Sequence, residues 1–314
     1  MTDKVLVTGG AGFVGSHVAD AYLEAGWEVT VLDDLSTGRR EMVPTAARFV
    51  QADVRSPEAR QLLATGGFTL LNHHAAQMDV RRSVADPVLD GSVNVIGLLN
   101  LLEGARAGGV RRVVFASSGG VVYGESAALP LAETAPKLPV SPYGAAKLAS
   151  EYYLATFAQL YDLETAALRY SNVYGPRQNA HGEAGVVAIF SGRILRGEPL
   201  TIYGDGDQTR DMVYVKDVAA ANLAASTRPL PPLTDLDARA FNVGTGIETS
   251  VNGLAAGLAG AAGRRPEIRR APARPGELRR SVLAVDKAAR LLGWRPRVTL
   301  AAGLQLTLRS VVED

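Results

Sequence analysis

The chain has 314 residues, enough for more than one simple domain, and its 47% apolar and 21% charged residues are the balance of a globular protein. Its 33 basic and 32 acidic side chains leave a net charge of +1, so nothing points to nucleic acid or an anionic membrane surface as a partner. There is no Cys, which excludes disulfides, thiolate nucleophiles and thiolate metal sites.

Residues 1–8 lack the charged and apolar regions of a signal peptide. No apolar run reaches the length of a membrane span, the Ala/Gly-rich stretch 251–263 being short and interrupted by Asn252. A soluble, cytoplasmic protein is expected. Only five of the basic residues are Lys, and the Arg that make up the rest suit bidentate contacts to phosphate or carboxylate.

In chain order, Lys4–Thr8 reads as a strand, followed at once by Gly9-Gly-Ala-Gly12-Phe13-Val14-Gly15. Helical spacing then runs through Val14, Val18, Ala21, Tyr22 and Ala25 to a stop at Gly26. A second strand, Glu28–Leu32, ends in Asp33-Asp34, with the acid 18 residues after Gly15. Strand, glycine turn, helix, strand and acid in this order form the dinucleotide-binding fingerprint. The glycines allow a tight turn, close approach of backbone to a pyrophosphate, and tight helix packing, while the helix N-terminus holds the phosphates. Asp33 can accept hydrogen bonds from a ribose and would repel a 2′-phosphate, so NAD is expected rather than NADP.

The alternation continues. Arg48–Gln51 is a strand leading to Asp53-Val54, a candidate contact to the adenine ring. Thr69–Asn72 is a buried strand followed by His73-His74-Ala75-Ala76-Gln77. Adjacent histidines on a strand point to opposite faces, so packing roles are expected and no metal site. The stretch Ser92–Ala107, with Asn94 near its start, is helical, and its stripe of Val95, Leu98, Leu99 and Leu102 is assigned to the core, a dimer face being the alternative. Arg112–Ala116 is another strand, opening onto Ser117-Ser118-Gly119-Gly120. In open α/β sheets ligands bind beyond the carboxyl ends of strands, which places Ser117 and Ser118 where a nicotinamide would lie.

Ser141 is a good N-cap and Pro142 suits the first helical position, predicting a helix from Pro142 to about Tyr161. Tyr143 and Lys147 are then i and i+4 on one face. An ammonium beside a phenol draws its pKa down from ~10 and fits the Tyr to take a proton from a substrate hydroxyl. Thr165–Tyr170 is a sixth strand. Residues 172–185 form a long Gly-rich loop read as functional, followed by a helix at 186–197, a strand at 200–203, a loop over 204–211 and a Pro/Arg-rich tail. Residues 228–239 read as a surface connection. The expected fold is α/β: a Rossmann-type doubly wound parallel sheet over 1–172 with a returning segment near 210–245, and a smaller C-terminal α/β substrate-binding lobe over 173–314.

Taken together, Thr8-Gly9-x-x-Gly12-x-x-Gly15 and Tyr143-x-x-x-Lys147 resemble the extended short-chain dehydrogenase/reductase superfamily over essentially the whole chain. Within it the chain looks most like the UDP-glucose 4-epimerase family. The strings that carry this are Asp33-Asp-Leu-Ser-Thr-Gly38, His74-Ala-Ala-Gln77, Arg169-Tyr-x-Asn172-Val-Tyr-Gly-Pro176, Gly204-Asp-Gly-x-Gln-x-Arg210-Asp211 and Arg274-Pro-Gly-Glu277.

The resemblance implies a retained NAD, bound by Gly9, Gly12, Phe13, Val14 and Gly15, by Asp33, Asp34, Leu35 and Gly38, by Asp53 and Val54, by His74, Ala75, Ala76 and Gln77, and by Asn94, Ser117, Tyr143, Lys147 and Tyr170. Tyr143 would deprotonate the sugar 4-hydroxyl, with Lys147 on the nicotinamide ribose, while a 4-keto sugar turns over and takes the hydride back on its other face. Ser118, Tyr143, Asn172, Gly185, Val186, Ile202, Tyr203, Arg210, Arg274, Glu277 and Ser281 would line the UDP-sugar site.

The family's catalytic Ser/Thr stands four residues before the Tyr of its x-Val-Tyr-Gly string, where this chain has Gly119; Ser118 is the expected substitute, with Ser117 as the alternative. Ser281 stands where a small residue leaves room for an N-acetyl group, which implies UDP-GlcNAc/UDP-GalNAc as further substrates. A 4,6-dehydratase would need an Asp-Glu pair where Gly120-Val121 stands. A UDP-glucuronate epimerase or decarboxylase, using Arg177 or Arg82 for the carboxylate, and a non-catalytic NAD-binding protein are the remaining alternatives. The stripes at 95–102 and at Leu148, Tyr152 and Ala155 resemble those through which such enzymes form homodimers.

Overall fold

The computed structural model describes residues 3–125, 128–179, 185–273 and 278–313. Seven short apolar strands form the central sheet: β1 (Lys4–Thr8), β2 (Glu28–Asp33), β3 (Arg48–Gln51), β4 (Leu70–His73), β5 (Arg112–Ser118), β6 (Glu164–Tyr170) and β10 (Ala240–Val243). Every neighbouring pair is parallel, in the order β10-β6-β5-β4-β1-β2-β3. Parallel strands are buried on both faces, which is why they read as continuous rather than alternating apolar runs.

The winding reverses between β1 and β4, so helices cover both faces, as in the Rossmann order. On one face lie α1 (Phe13–Glu24), α8 (Val215–Thr227) and α10 (Asp286–Leu292), packing Val18, Tyr22, Val218, Ala225 and Leu292 on the sheet. On the other lie α2 (Pro57–Thr65), α5 (Gly97–Ala107) and α6 (Pro142–Leu160), contributing Leu63, Leu98, Leu102, Leu154 and Phe157. Strand β1 divides its side chains accordingly, Val5 and Val7 to the first layer and Leu6 to the second.

Short helices α3 (Val80–Ala85) and α4 (Pro87–Gly91) precede α5, and a π-helical turn, Ser92–Ile96, joins α4 to α5. The continuous helix Pro87–Ala107 has 21 residues and is, by length and composition alone, long and apolar enough to cross a membrane, where the sequence reading expected no such run. Its Leu98, Leu101, Leu102 and Ala105 are spent in the core against α2 and the sheet. Of the expected stripe, Leu98 and Leu102 are core and Leu99 packs against it, while Val95 is half-buried outside the core clusters. Leu148 likewise packs inward, on Val122, Tyr123, Leu131 and Leu283, whereas Tyr152 is exposed.

The smaller lobe has a three-stranded sheet, β11 (Glu248–Ser250), β9 (Thr209–Tyr214) and β7 (Asn172–Tyr174), and a parallel pair, β12 (Ile268–Ala271) and β8 (Leu200–Tyr203). Helices α7 (Val186–Arg196), α9 (Val251–Ala262) and α11 (Leu300–Glu313) close a separate core around Tyr174, Phe190, Leu200, Leu254 and Leu304. The expected loop over 204–211 is a loop only to Gln208, because Thr209 onward pairs with β11 and, from Met212, with β7. Helix α8 was not expected; its Val215, Val218, Ala221 and Ala225 are buried against the layer of α1. Residues 228–239 carry no regular element, in line with a surface connection.

Candidate active site

Helix α6 begins where the local chemistry dictates: Ser141 Oγ accepts from Gly144 N at 3.1 Å and Pro142 fills the first turn. Tyr143, Lys147 and Glu151 follow at intervals of four, in a row on the face turned to the carboxyl end of β5. Lys147 is buried; its Nζ donates to the Ala116 carbonyl at 2.8 Å and lies 4.6 Å from the Phe115 ring centre and 5.7 Å from that of Tyr143. The half-buried Tyr143 is anchored by its backbone N–H on Ser83 Oγ, and its hydroxyl has no hydrogen-bond partner among the described residues. An unpartnered phenol in a cleft is an available proton donor or acceptor.

The electrostatics correct one expectation. Burial, together with the charge of Asp90, raises the Tyr143 pKa above its ordinary value rather than lowering it. Burial also brings Lys147 down to about 8, against the opposing pull of Asp90 and Glu151. The protein atoms alone therefore favour the neutral phenol, chiefly because the ring is taken out of water.

The glycine turn after β1 meets the loop after β4 where the winding reverses. A Cβ on Gly9, at φ +70°, would fall 2.5 Å from Ala75 N, and one on Gly15 would fall 2.2 Å from Gly9 O. Helix α1 starts at Gly12 with no side-chain cap and no acid in its first turn, so the N–H groups at Phe13 and Val14 stay open to phosphate. The Asp33 carboxylate accepts from Ala11 N at 3.0 Å and Leu35 N at 2.9 Å, and a Cβ on Gly38 would fall 2.9 Å from it. Burial raises the Asp33 carboxyl above the usual range despite those donors. Asp34 is exposed and caps Ser36. An open helix end, bare glycines and an acid at the tip of β2 fit a dinucleotide.

A model of the NAD dependent epimerase/dehydratase family matches residues 5–244. The chain is 47% identical over 310 residues, 97% of each protein, to a UDP-glucose 4-epimerase of Mycolicibacterium smegmatis. The fold superposes on the crystal structure of a Thermotoga maritima UDP-glucose 4-epimerase with UDP-glucose at a TM-score of 0.94, with 44% identity and 99% of both chains covered. For a Thermus thermophilus UDP-glucose 4-epimerase in complex with NAD the TM-score is 0.89, with 47% identity and 98% coverage of both. The chain belongs to the NAD-dependent epimerase/dehydratase family.

At several of the expected contact positions of this NAD-dependent epimerase the side chains are engaged within the protein. Ser117 Oγ donates to Glu151 Oε1 at 2.5 Å, in a buried cluster in which Arg169 meets Glu151 through both Nε and Nη2. Strand alternation turns Ser118 the other way, and its hydroxyl has no hydrogen-bond partner among the described residues. Tyr170 Oη is taken by Asn222 Nδ2 at 2.7 Å and by His74 Nε2 at 3.0 Å. Asn94 meets both backbone groups of Gln77 and Asp90, and so shapes the loop carrying Ala75, Ala76 and Gln77. Val54 is a core side chain, and the Asp53 carboxylate is engaged by Arg55. Both histidines pack as expected: His73 Nδ1 on Thr8 Oγ1 with its ring on Phe115, and His74 against Tyr170.

In the smaller lobe a cleft of about 180 Å³ is lined by Tyr203, Gly204, Asp205, Gln208, Ala273, Leu278 and Arg279. Arg210 begins beside it on β9, and Nη1 returns to the Thr209 carbonyl at 2.8 Å. Ile202, expected at the nucleotide, is buried in the second core, because alternation along β8 turns only its neighbour Tyr203 to the cleft. Val186 packs on the same core, Gly185 caps α7, and Asn172 is exposed at the start of β7. Arg274 and Glu277 lie outside the described residues. Ser281 is buried two residues before Leu283, which lies where a Cβ on Gly119 would fall; the 281–283 segment thus runs beside the Ser118 turn. Asp90 and Glu151 escaped the sequence reading. Glu151 had a signal, since it continues the Tyr143, Lys147 spacing by one more helical step, but Asp90 had none.

Proposed function

We propose that this chain interconverts UDP-glucose and UDP-galactose by epimerisation at C4. The observation that carries the reading is the unpartnered Tyr143 hydroxyl beside buried Lys147, at the sheet end where the glycine turn opens. When bound, NAD supplies a reversible hydride acceptor. Gly9, Gly12 and Gly15 with the open end of α1 hold its pyrophosphate, and Asp33 its adenosine ribose. Tyr143 takes the proton of the sugar 4-hydroxyl and returns it once the 4-keto sugar has turned its other face. Lys147 supports the phenolate electrostatically, and Ser118 supplies the hydroxyl that aligns the sugar oxygen. Arg210 and Arg274 answer the diphosphate, with Asn172, Tyr203 and Glu277 on the uridine side. Residues 1–172 with a return near 210–245 carry the dinucleotide, and 173–314 mainly the nucleotide sugar.

Ser281 supports a wider pocket that also admits UDP-GlcNAc and UDP-GalNAc. A homodimer is proposed as well, through exposed Val88, Ile96 and Tyr152 rather than through the buried stripes. A cytoplasmic location goes with this chemistry, because nucleotide sugars and NAD are charged and do not cross membranes unaided. The test is to incubate the purified protein with UDP-galactose, UDP-GalNAc and UDP-glucuronate without added cofactor and identify the products. UDP-glucose is expected from the first and UDP-GlcNAc from the second. UDP-galacturonate or CO2 from the third would instead favour the glucuronate reading, and no conversion of any would leave a non-catalytic NAD protein.

A further inference from the structure

Arg177 stands at φ +66°, the left-handed region that a residue with a Cβ adopts only at a cost in backbone energy. It follows Gly175, at φ +146°, and Pro176, so the chain turns sharply as it leaves β7. Glycine or asparagine would take the Arg177 conformation more readily. A long side chain kept there despite the strain calls for a contact that repays it.

That contact lies on α1. Arg177 Nη1 donates to Asp20 Oδ2 at 2.7 Å and to Ser16 Oγ at 3.2 Å, two positions one helical turn apart. Between them in sequence His17, 5% exposed, donates from Nε2 to the Pro176 carbonyl at 3.0 Å. The held side of α1 reaches the helix end at the glycine turn. Ser16 Oγ donates to the Phe13 carbonyl at 3.0 Å, and the rings of Phe13 and His17 meet edge-on at 6.2 Å. Phe13 opens α1, at the end whose N–H groups stay open to phosphate.

On its other side the turn is tied to α7. Gln178 Nε2 donates to the Val173 carbonyl at 3.2 Å, and a Cβ on Gly185 would fall 2.7 Å from that nitrogen. Gln178 therefore rests against the residue that caps α7. One set of contacts thus runs from the cofactor helix through residues 176–178 to both ends of the 172–185 loop.

We propose that Arg177, with His17, is a clasp between the two lobes, a positioning residue that holds the sugar-side loop on the cofactor helix. Opening the clasp frees α1 at its phosphate end and the 172–185 loop at the nucleotide sugar. NAD is then lost faster and the UDP-sugar is bound more weakly. Ser118, Tyr143 and Lys147 stand on β5 and α6, away from the clasp's own elements, and keep their chemistry. The sugar half of this inference rests on the epimerase reading; the NAD half does not.

The test is a double-mutant cycle of Arg177→Asn and Asp20→Ala in the full chain carrying its NAD. Asn suits the left-handed backbone and is too short to reach Asp20. Asp20→Ala opens the same pair from the helix side. Each single variant should lose bound NAD during dialysis roughly two- to fivefold faster than wild type, the range that a partly exposed ion pair can transmit. Each should raise the KM for UDP-galactose by a similar factor, with a smaller change in kcat. The two together should cost no more than the worse of them alone. Effects that add, or a lower melting temperature with NAD loss and KM unmoved, overturn the clasp. If the wild type converts no UDP-sugar, the epimerase reading falls, and the rate of NAD loss across the cycle still judges the clasp.

Discussion

Ser117 Oγ donates to Glu151 Oε1 at 2.5 Å, and this bond assigns the two adjacent serines at the end of β5 to different tasks. Ser117 joins the buried cluster of Glu151, Arg169, Tyr123 and Asp237 beneath the cleft. Ser118, one residue on, faces the opposite side of the strand with its hydroxyl unspent. Ser118→Ala should therefore lower turnover with little change in melting temperature, and Ser117→Ala should do the reverse. Equal effects of the two would contradict the division.

Tyr143→Phe removes a hydroxyl that no group among the described residues holds. Turnover of UDP-galactose should drop by roughly 10²–10⁴, while the melting temperature stays within a degree or so of wild type. A variant that keeps more than a tenth of wild-type turnover rules out Tyr143 as the proton carrier.

Glu151→Gln leaves Arg169 buried beside a neutral amide. Arg169 is 0% exposed, and among the described residues only Asp237 would remain as an anionic partner. Urea denaturation should register a loss of about 3 kcal/mol or more. Combining Glu151→Leu with Arg169→Met should cost less than Glu151→Leu alone, since no buried charge is then orphaned on the α6 side.

His17 tests the acid side. Its Nε2 meets the Pro176 carbonyl at 3.0 Å, tying α1 to the loop after β7, and burial brings its pKa from 6.5 down to about 4. A folded pKa below the unfolded one means that the unfolded chain binds the extra proton first. Stability is thus intact above pH 6.5 and lost as pH falls toward 4, by about 3 kcal/mol over that window. His17→Gln should flatten the pH dependence of the melting temperature between those values; an unchanged slope would refute the assignment.

Gly15→Ala would put a methyl group 2.2 Å from the Gly9 carbonyl oxygen, inside the turn. The purified variant should carry much less NAD than the wild type, measured by chromatography of the nucleotide released on denaturation. Gly26→Ala, at a positive-φ glycine with open space around it, should keep its NAD and lose only stability.

Local patterns were enough for most of the fold. β1, β3, β8 and the start of α6 fall where strand runs, N-caps and turn glycines put them, because those signals act over a few neighbouring residues. β9 and α8 were hidden: Thr209–Tyr214 is a strand because β7 and β11 flank it, and α8 has too even a spread of Ala to announce a face. At the site, the glycine turn, Asp33, Tyr143 and Lys147 were legible because their chemistry depends on spacing along one element.

From order along the chain alone came the parallel α/β architecture, the dinucleotide cradle and the Tyr–Lys pair, each encoded within one or two contiguous segments. Three-dimensional packing settled the rest: which serine hydroxyl has no partner among the described residues, that Ile202 and Val54 are core, and that Asp90 is buried against Gln77 and Asn94. The cause is desolvation. The protonation and partners of a buried group depend on everything packed around it, and those neighbours come from helices far apart in the chain.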